Sequence, residues 1–79
     1  MLYYELQTIN EEFMKKFIKY RQNLAYDDGF VYSYKTKVAE IDIKNFTLWR
    51  LGYWSKTTSK HINYAGKQLG LRVETPEWL

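Results

Sequence analysis

Hydroxyl and basic side chains are concentrated just before an apolar pattern of helical spacing. The hydroxyl residues are Ser55, Thr57, Thr58 and Ser59, and Lys60 and His61 follow them. The first backbone N–H groups of a helix can hold a phosphate, and these side chains could add hydrogen bonds and charge. The pattern is consistent with an anion or nucleic-acid site comprising Lys56, Thr57, Thr58, Ser59, Lys60, His61 and Lys67. The alternative is ordinary capping, because Ser and Thr are favoured at the start of any helix.

His61 is the single histidine of the chain, and there is no cysteine. A zinc site built from several His and Cys ligands is therefore excluded, and no nucleophile with a recognisable signature lies beside His61. We predict that His61 lies at the edge of the apolar face and hydrogen-bonds a strand carbonyl group. Glu40 and Asp42 alternate onto one face of a predicted strand, which indicates a solvated face. We expect no catalytic site, no metal and no cofactor.

Length and charge narrow the class of protein. The 79 residues suffice for one domain, with residues 75–79 as a flexible tail unless Trp78 finds a pocket. Twelve Lys and Arg against nine Asp and Glu leave a net charge of +3, which is too small to predict nucleic-acid binding by itself. The chain shows no signal-peptide pattern and no long apolar run, so we expect a cytoplasmic location.

Apolar spacing predicts a helix in the first third of the chain. Thr8 followed by Glu11 fits a capping box, and an apolar stripe at steps of three and four residues follows. The stripe consists of Ile9, Phe13, Phe17, Tyr20 and Leu24. Asp27-Asp28-Gly29 predicts a turn that ends this segment.

Alternating residues predict strands in the middle of the chain. Residues 30–35, 39–43 and 47–51 show this alternation, and Lys44-Asn45 predicts a turn. No Gly or Pro marks a break at residues 35–37, so residues 30–43 form either two strands or one bulged strand.

A second helix is predicted after residue 56. Thr57 or Thr58 is the expected N-cap, and Gly70 suits a left-handed C-terminal position. The apolar face consists of Thr58, Ile62, Ala65 and Leu69. Residues 71–73 could add a short strand.

These elements predict an α+β fold with two helices on one face of a small antiparallel sheet of two to four strands. The order is helix, strands, helix. The expected core residues are Phe13, Phe17, Leu24, Ile41, Leu51, Ile62 and Leu69.

Aromatic side chains exceed what a small core needs. The chain has 3 Trp, 8 Tyr and 4 Phe, and a sheet with one covered face cannot bury all of them. The set expected to bind a partner consists of Tyr32, Tyr34, Trp49, Tyr53 and Trp54. Exposed rings beside Lys35, Lys37 and Arg50 would suit a protein interface or base stacking. The alternative is that the two helices cover most of them.

Two segments together resemble a group of small uncharacterised proteins from tailed bacteriophages. Residues 31–39, VYSYKTKVA, and residues 53–62, YWSKTTSKHI, match their approximate pattern YSYxTxVA followed by WSxTTSKHI. The resemblance covers residues 31–70 and implies a phage origin, without implying a mechanism. The order of elements is also similar to that of double-stranded RNA-binding domains, although the consecutive lysines of that family are replaced by Ser59-Lys60-His61.

Two functions follow as hypotheses. The first is a non-enzymatic phage protein that binds and inhibits a host protein, such as a component of a bacterial defence system (an anti-CRISPR-like role). The second is a small nucleic-acid-binding protein whose phosphate contacts are Lys56, Lys60 and Lys67, with Lys15 and Lys19 as further candidates. No membrane partner is expected, and the oligomeric state is left open.

Overall fold

The computed structural model describes residues 14–79, which form one mixed sheet covered on one face by a helix. In chain order the strands before the helix are β1 (Lys15–Lys16), β2 (Leu24–Tyr26), β3 (Phe30–Ser33), β4 (Thr36–Asp42) and β5 (Thr47–Arg50). The helix α1 (Lys56–Leu69) and the strand β6 (Arg72–Glu74) follow. The strands lie in the order in which they occur in the chain, and each pair is antiparallel except β5 and β6.

The expected fold of two helices and a purely antiparallel sheet of two to four strands is therefore wrong. Residues 14–79 contain six strands and one helix, and β6 pairs in parallel with β5. Parallel neighbours need a long crossover connection, which α1 provides. The helix–three strands–helix order of double-stranded RNA-binding domains is likewise not found in this part of the chain.

The predicted first helix is replaced, where the structure describes it, by β1, a turn and β2. Its apolar spacing does mark buried positions, because Phe17 and Leu24 belong to the core. However, Tyr20 has a left-handed backbone (φ 59°), and the chain reverses there so that β2 can pair with β3. Pairing with a distant strand overrides local helical preference. Residues 8–13 of that prediction, including Phe13, lie outside the described residues.

Residues 30–43 form two strands, and they also contain a bulge. Tyr34 and Lys35 connect β3 to β4 with φ of 52° and 69°, as a two-residue hairpin turn of type I′ requires. The register shifts between Val31 and Tyr32, and both Val38 and Ala39 of the opposing strand are buried. The turn has no glycine, so the sequence alone left two strands and one bulged strand as alternatives.

The core lies between α1 and one face of the sheet. Leu24, Val31, Leu48 and Ile62 are fully buried, and Ile41 and Leu69 pack at the margin. The predicted core residue Leu51 is only half-buried. A Cβ on Gly66 would lie 2.6 Å from Val73 Cγ2, so the glycine allows α1 to approach β6 closely. The predicted left-handed Gly70 is confirmed (φ 73°).

The sheet topology places the connections at two opposite ends. The β1–β2 turn, the β3–β4 turn and the β5–α1 loop lie at one end, as the hydrogen bond from Tyr34 N to Asn23 O shows (2.8 Å). The β2–β3 and β4–β5 turns lie at the other end. Among residues 14–79, no helix is long and apolar enough to cross a membrane.

We expect Ile62→Ala to lower the free energy of unfolding by about 2–5 kcal/mol, because a fully buried side chain leaves a cavity. Ile18→Ala is the matched control, since Ile18 is 86% exposed, and its effect should stay within about 0.5 kcal/mol. Urea unfolding measures both values. A loss below about 1 kcal/mol for Ile62→Ala would contradict the placement of α1.

Candidate nucleic-acid interface

A buried polar cluster holds the start of α1 against the end of β3. Ser33 Oγ lies 2.8 Å from His61 Nδ1 and 3.5 Å from Thr58 Oγ1. Ser33 and His61 are each 2% exposed. A hydrogen bond from His61 to a strand carbonyl group was predicted, but the partner is the Ser33 hydroxyl of β3. His61 is also buried and does not lie at the edge of the apolar face. A substrate cannot reach the hydroxyl of Ser33, so the pair positions α1.

The hydroxyl residues before α1 have separate structural roles. Ser55 is the N-cap and accepts a hydrogen bond from Thr58 N (3.2 Å), so the prediction of Thr57 or Thr58 as the cap is wrong. Thr58 is buried, and Ser59 accepts a hydrogen bond from Arg50 Nη2 (3.2 Å). Thr57 is exposed. The abundance of hydroxyl groups therefore reflects, in large part, internal hydrogen bonding.

The predicted anion-binding residues are thus divided among three environments. Thr58 and His61 are buried, and Lys56, Thr57 and Lys60 are exposed at the start of α1. Lys67 lies in the last turn of the helix, at the other end of the fold. The structure does not bring Lys67 together with Lys56 and Lys60.

Basic residues from three separate segments meet at the end of the fold where α1 starts. The segments are residues 16–23, residues 34–35 and residues 50–60, and none of them contains Asp or Glu. Their cations are Lys16, Lys19, Arg21, Lys35, Arg50, Lys56 and Lys60. We call this surface the basic end.

Contacts link these segments to one another. Lys16 and Lys35 line one cleft of about 340 Å³, together with Gln22 and Asn23. The backbone N–H of Lys19 donates to Tyr64 Oη (3.2 Å), which attaches the β1–β2 turn to α1. Arg50 joins β5 to the first turns of α1 through Ser59. The cations of the basic end thus lie on segments of the fold that contact one another.

The opposite end is acidic by comparison. Asp27 and Asp28 lie in the β2–β3 connection, and Asp42 begins the β4–β5 turn with Lys44 nearby. Asp27 Oδ1 accepts hydrogen bonds from the backbone N–H groups of Gly29 and Phe30, as expected for the predicted turn. The predicted turn at Lys44-Asn45 is also confirmed. Glu74 and Glu77 lie towards the basic end, because β6 runs parallel to β5 and Glu74 pairs with Trp49. Glu77 lines a groove beside Leu51.

The five aromatic residues predicted to bind a partner fall into two groups. Tyr32 and Trp49 are half-buried on the sheet face away from α1, and each donates a hydrogen bond to an aspartate. Tyr32 Oη lies 2.8 Å from Asp27 Oδ2, and Trp49 Nε1 lies 3.1 Å from Asp42 Oδ2. Tyr34, Tyr53 and Trp54 are exposed, and all three belong to the connections of the basic end.

Glu40 and Asp42 do share one sheet face, because they pair with Trp49 and Thr47 on β5. Asp42 is engaged in local hydrogen bonds with Asn45, so it stabilises the β4–β5 turn. Within residues 14–79, no three His, Asp or Glu side chains come close enough to hold a metal ion.

Sequence reasoning missed part of this surface. Lys56, Lys60 and Lys19 had been named as phosphate contacts, but Lys16 and Arg21 had not. The available signal was the absence of acids from residues 13–26 and 43–73. That signal shows which cations have no acidic neighbour in the sequence. Only the fold shows that these segments meet at one end of the sheet.

Comparisons with known proteins identify the family. A family model described as "Family of unknown function (DUF8033)" matches residues 4–78. The chain belongs to this family. Neither the curated proteins nor the solved structures contain a significant match to it. The DUF8033 match includes all the segments that form the basic end.

We expect Ser55→Ala to lower the free energy of unfolding by about 1 kcal/mol, because the capped N–H group of Thr58 loses its acceptor. Thr57→Ala is the matched control in the same turn and should change stability by less than about 0.5 kcal/mol. Urea unfolding compares the two variants. A larger loss for Thr57→Ala would contradict Ser55 as the cap.

We expect stability to fall as the pH drops below 6.5 because His61 is buried. Burial lowers the pKa of His61 below its ordinary value of 6.5, so the unfolded chain binds the proton more readily than the folded one. The contribution of neutral His61 to the free energy of unfolding is complete above pH 6.5. It is lost progressively as the pH falls towards the lower pKa that His61 has in the folded protein. Urea unfolding from pH 7.5 down to about pH 5 measures this change. In this range most carboxyl groups stay ionised, so they contribute little to it.

His61→Gln is the control for this pH dependence, because the amide can still contact Ser33 but does not titrate. The variant should be less stable than the wild type at pH 7.5. Its free energy of unfolding should change much less with pH over this range. Equal slopes for the two proteins would show that other groups cause the effect.

Proposed function

We propose that this DUF8033 protein binds nucleic acid through the basic end. The single observation that supports this proposal most strongly is that three acid-free segments place six exposed cations and the buried Arg50 on one end of the fold. These cations are Lys16, Lys19, Arg21, Lys35, Arg50, Lys56 and Lys60. Phosphate backbones attract such surfaces without regard to sequence, and counterion release drives the binding.

The net charge of +3 understates this attraction. Three of the nine acids, Asp27, Asp28 and Asp42, lie at the β2–β3 and β4–β5 turns, at the far end of the sheet. A polyanion at the basic end lies next to the cations, and salt screens its interaction with charges more than about 10 Å away. Separated charges of this kind also orient an approaching polyanion.

A protein partner is the second candidate, and a different surface favours it. Ile43 and Phe46 project from the β4–β5 turn and are among the most exposed apolar side chains. Trp49, Leu51, Pro76 and Trp78 line a shallow groove of about 320 Å³ near the end of the chain. The inhibition of a host protein, based on the resemblance to phage proteins, would use such surfaces. It stays a proposal, as does the expectation that the protein is not an enzyme.

We expect binding to labelled DNA and RNA that weakens steeply with salt. The logarithm of the binding constant should fall with the logarithm of salt concentration by about 0.9 per neutralised phosphate for duplex DNA and about 0.7 for single strands. Lys35→Gln and Lys56→Gln should each reduce this slope by about that amount. Fluorescence anisotropy at several salt concentrations measures it.

Lys44→Gln and Lys67→Gln are matched controls, because each removes one exposed lysine from the opposite end. Both should leave the slope unchanged. An equal effect of all four substitutions would mean that binding follows net charge alone. No binding at about 50 mM salt would contradict the proposal.

An affinity pull-down with and without nuclease compares the two candidates. A stoichiometric host protein that survives nuclease treatment, together with absent nucleic-acid binding, would support the second candidate over the first.

A further inference from the structure

We infer that the nucleic acid is single-stranded and that its bases stack on Tyr34, Tyr53 and Trp54. This inference rests on the proposed function and adds the class of ligand. The three rings are 54%, 65% and 44% exposed, respectively, and they lie in the connections that carry the cations. Each ring also lies close to a protein group that supports it, while a large part of its surface stays exposed.

The group behind Tyr34 is His61. The two ring centroids are 5.6 Å apart, and the planes are inclined by 32°. His61 is itself buried and held by Ser33, so it provides a fixed support. Tyr34 also occupies the first position of the β3–β4 turn with φ 52°, where Asn or Gly would fit with less strain. A tyrosine at a strained and exposed position suggests a role for its ring outside the fold.

The group behind Tyr53 is the guanidinium group of Arg50. Arg50 Cζ lies 4.9 Å from the ring centroid, and Nη2 donates to Ser59. Arg50 Nε is buried without an acceptor. The guanidinium group is thus held between β5 and α1 with a ring over it, and a cation under a ring is a stabilising arrangement.

The group behind Trp54 is the backbone of Gly52. A Cβ on Gly52 would lie 3.1 and 3.2 Å from two carbons of the indole ring. The ring therefore packs against a position that a side chain would crowd. The absence of a side chain at Gly52 lets the indole approach the backbone closely while Trp54 stays 44% exposed.

Rings that are supported in this way suit unpaired bases. A supported ring loses little conformational freedom when a base stacks on it, and every base has a flat face, so the contact tolerates any sequence. In a duplex the base faces are already stacked on one another, and only phosphates would reach this surface. The combination of cations with three open rings therefore favours single strands over duplexes.

Lysine variants should change the salt dependence of binding, whereas ring variants should change the binding constant at a fixed salt concentration. Tyr53→Ala and Trp54→Ala should each weaken single-strand binding by about 5- to 150-fold. The salt slope should stay the same, because the number of phosphates contacted does not change. Phe46→Ala is the matched control, since Phe46 is 68% exposed at the opposite end and should have no effect. All three side chains are exposed, so circular dichroism should show an unchanged fold.

The experiment compares labelled oligo-dT, oligo-rU and a duplex of equal length at fixed salt. We expect the single strands to bind more tightly than the duplex, and the dT and rU arms compare a DNA strand with an RNA strand. Duplex binding as tight as single-strand binding, or ring variants no weaker than Phe46→Ala, would overturn the inference and leave the basic end as a phosphate-binding surface. Failure to bind any nucleic acid would overturn this inference and the proposed function together.

Discussion

The buried contact between Ser33 and His61 determines where the helix lies on the sheet. Ser33 ends β3, and His61 lies near the start of α1, so their contact at 2.8 Å joins the middle of the sheet to the helix. Both groups are polar and buried, and an unpaired partner would cost stability. The helix therefore cannot slide or rotate without losing this pair, and the β5–α1 loop is held in place with it.

The connections of the fold depend on that placement and on the antiparallel order of the first five strands. In such a meander, successive connections alternate between the two ends of the sheet. The β1–β2 turn, the β3–β4 turn and the β5–α1 loop are therefore neighbours, although more than 20 residues of chain separate the first from the last. The basic residues lie in these alternate connections, and the aspartates lie in the other two. Seven of the twelve Lys and Arg residues are thereby gathered at one end of the sheet.

The aromatic residues fall into two groups, one that stabilises the fold and one that is exposed and available for binding. Tyr20 and Tyr64 contact each other around the helix, with Phe17 against Tyr64 and His61 against Tyr20. Tyr32 and Trp49 are held by aspartate hydrogen bonds. These rings stabilise a chain that has no disulfide. Tyr34, Tyr53 and Trp54 lie at the ends of elements, where a covered face and an open face can coexist.

Local patterns in the sequence determined the parts of this protein that depend on neighbouring residues. The helical spacing of Ile62 and Ala65 revealed the buried face of α1, and Gly70 revealed its end. Alternation revealed β3 and β5, and Asp27-Asp28-Gly29 revealed a turn. Apolar spacing also identified Phe17 and Leu24 as core residues. In each case the signal arises within a few residues of chain, so it can be interpreted without knowing the fold.

Only the tertiary structure decided the rest. The spacing of Phe17 and Leu24 fits a helix as well as it fits the observed turn and strand. The pairing of β2 with β3 decided between the two. The parallel pairing of β6 with β5 and the role of Ser55 as the cap also required the assembled chain. The basic end has the same origin, because Lys19, Lys35 and Lys56 are far apart in sequence. Which strands pair is set by the free energy of the whole core, and no local pattern reports it.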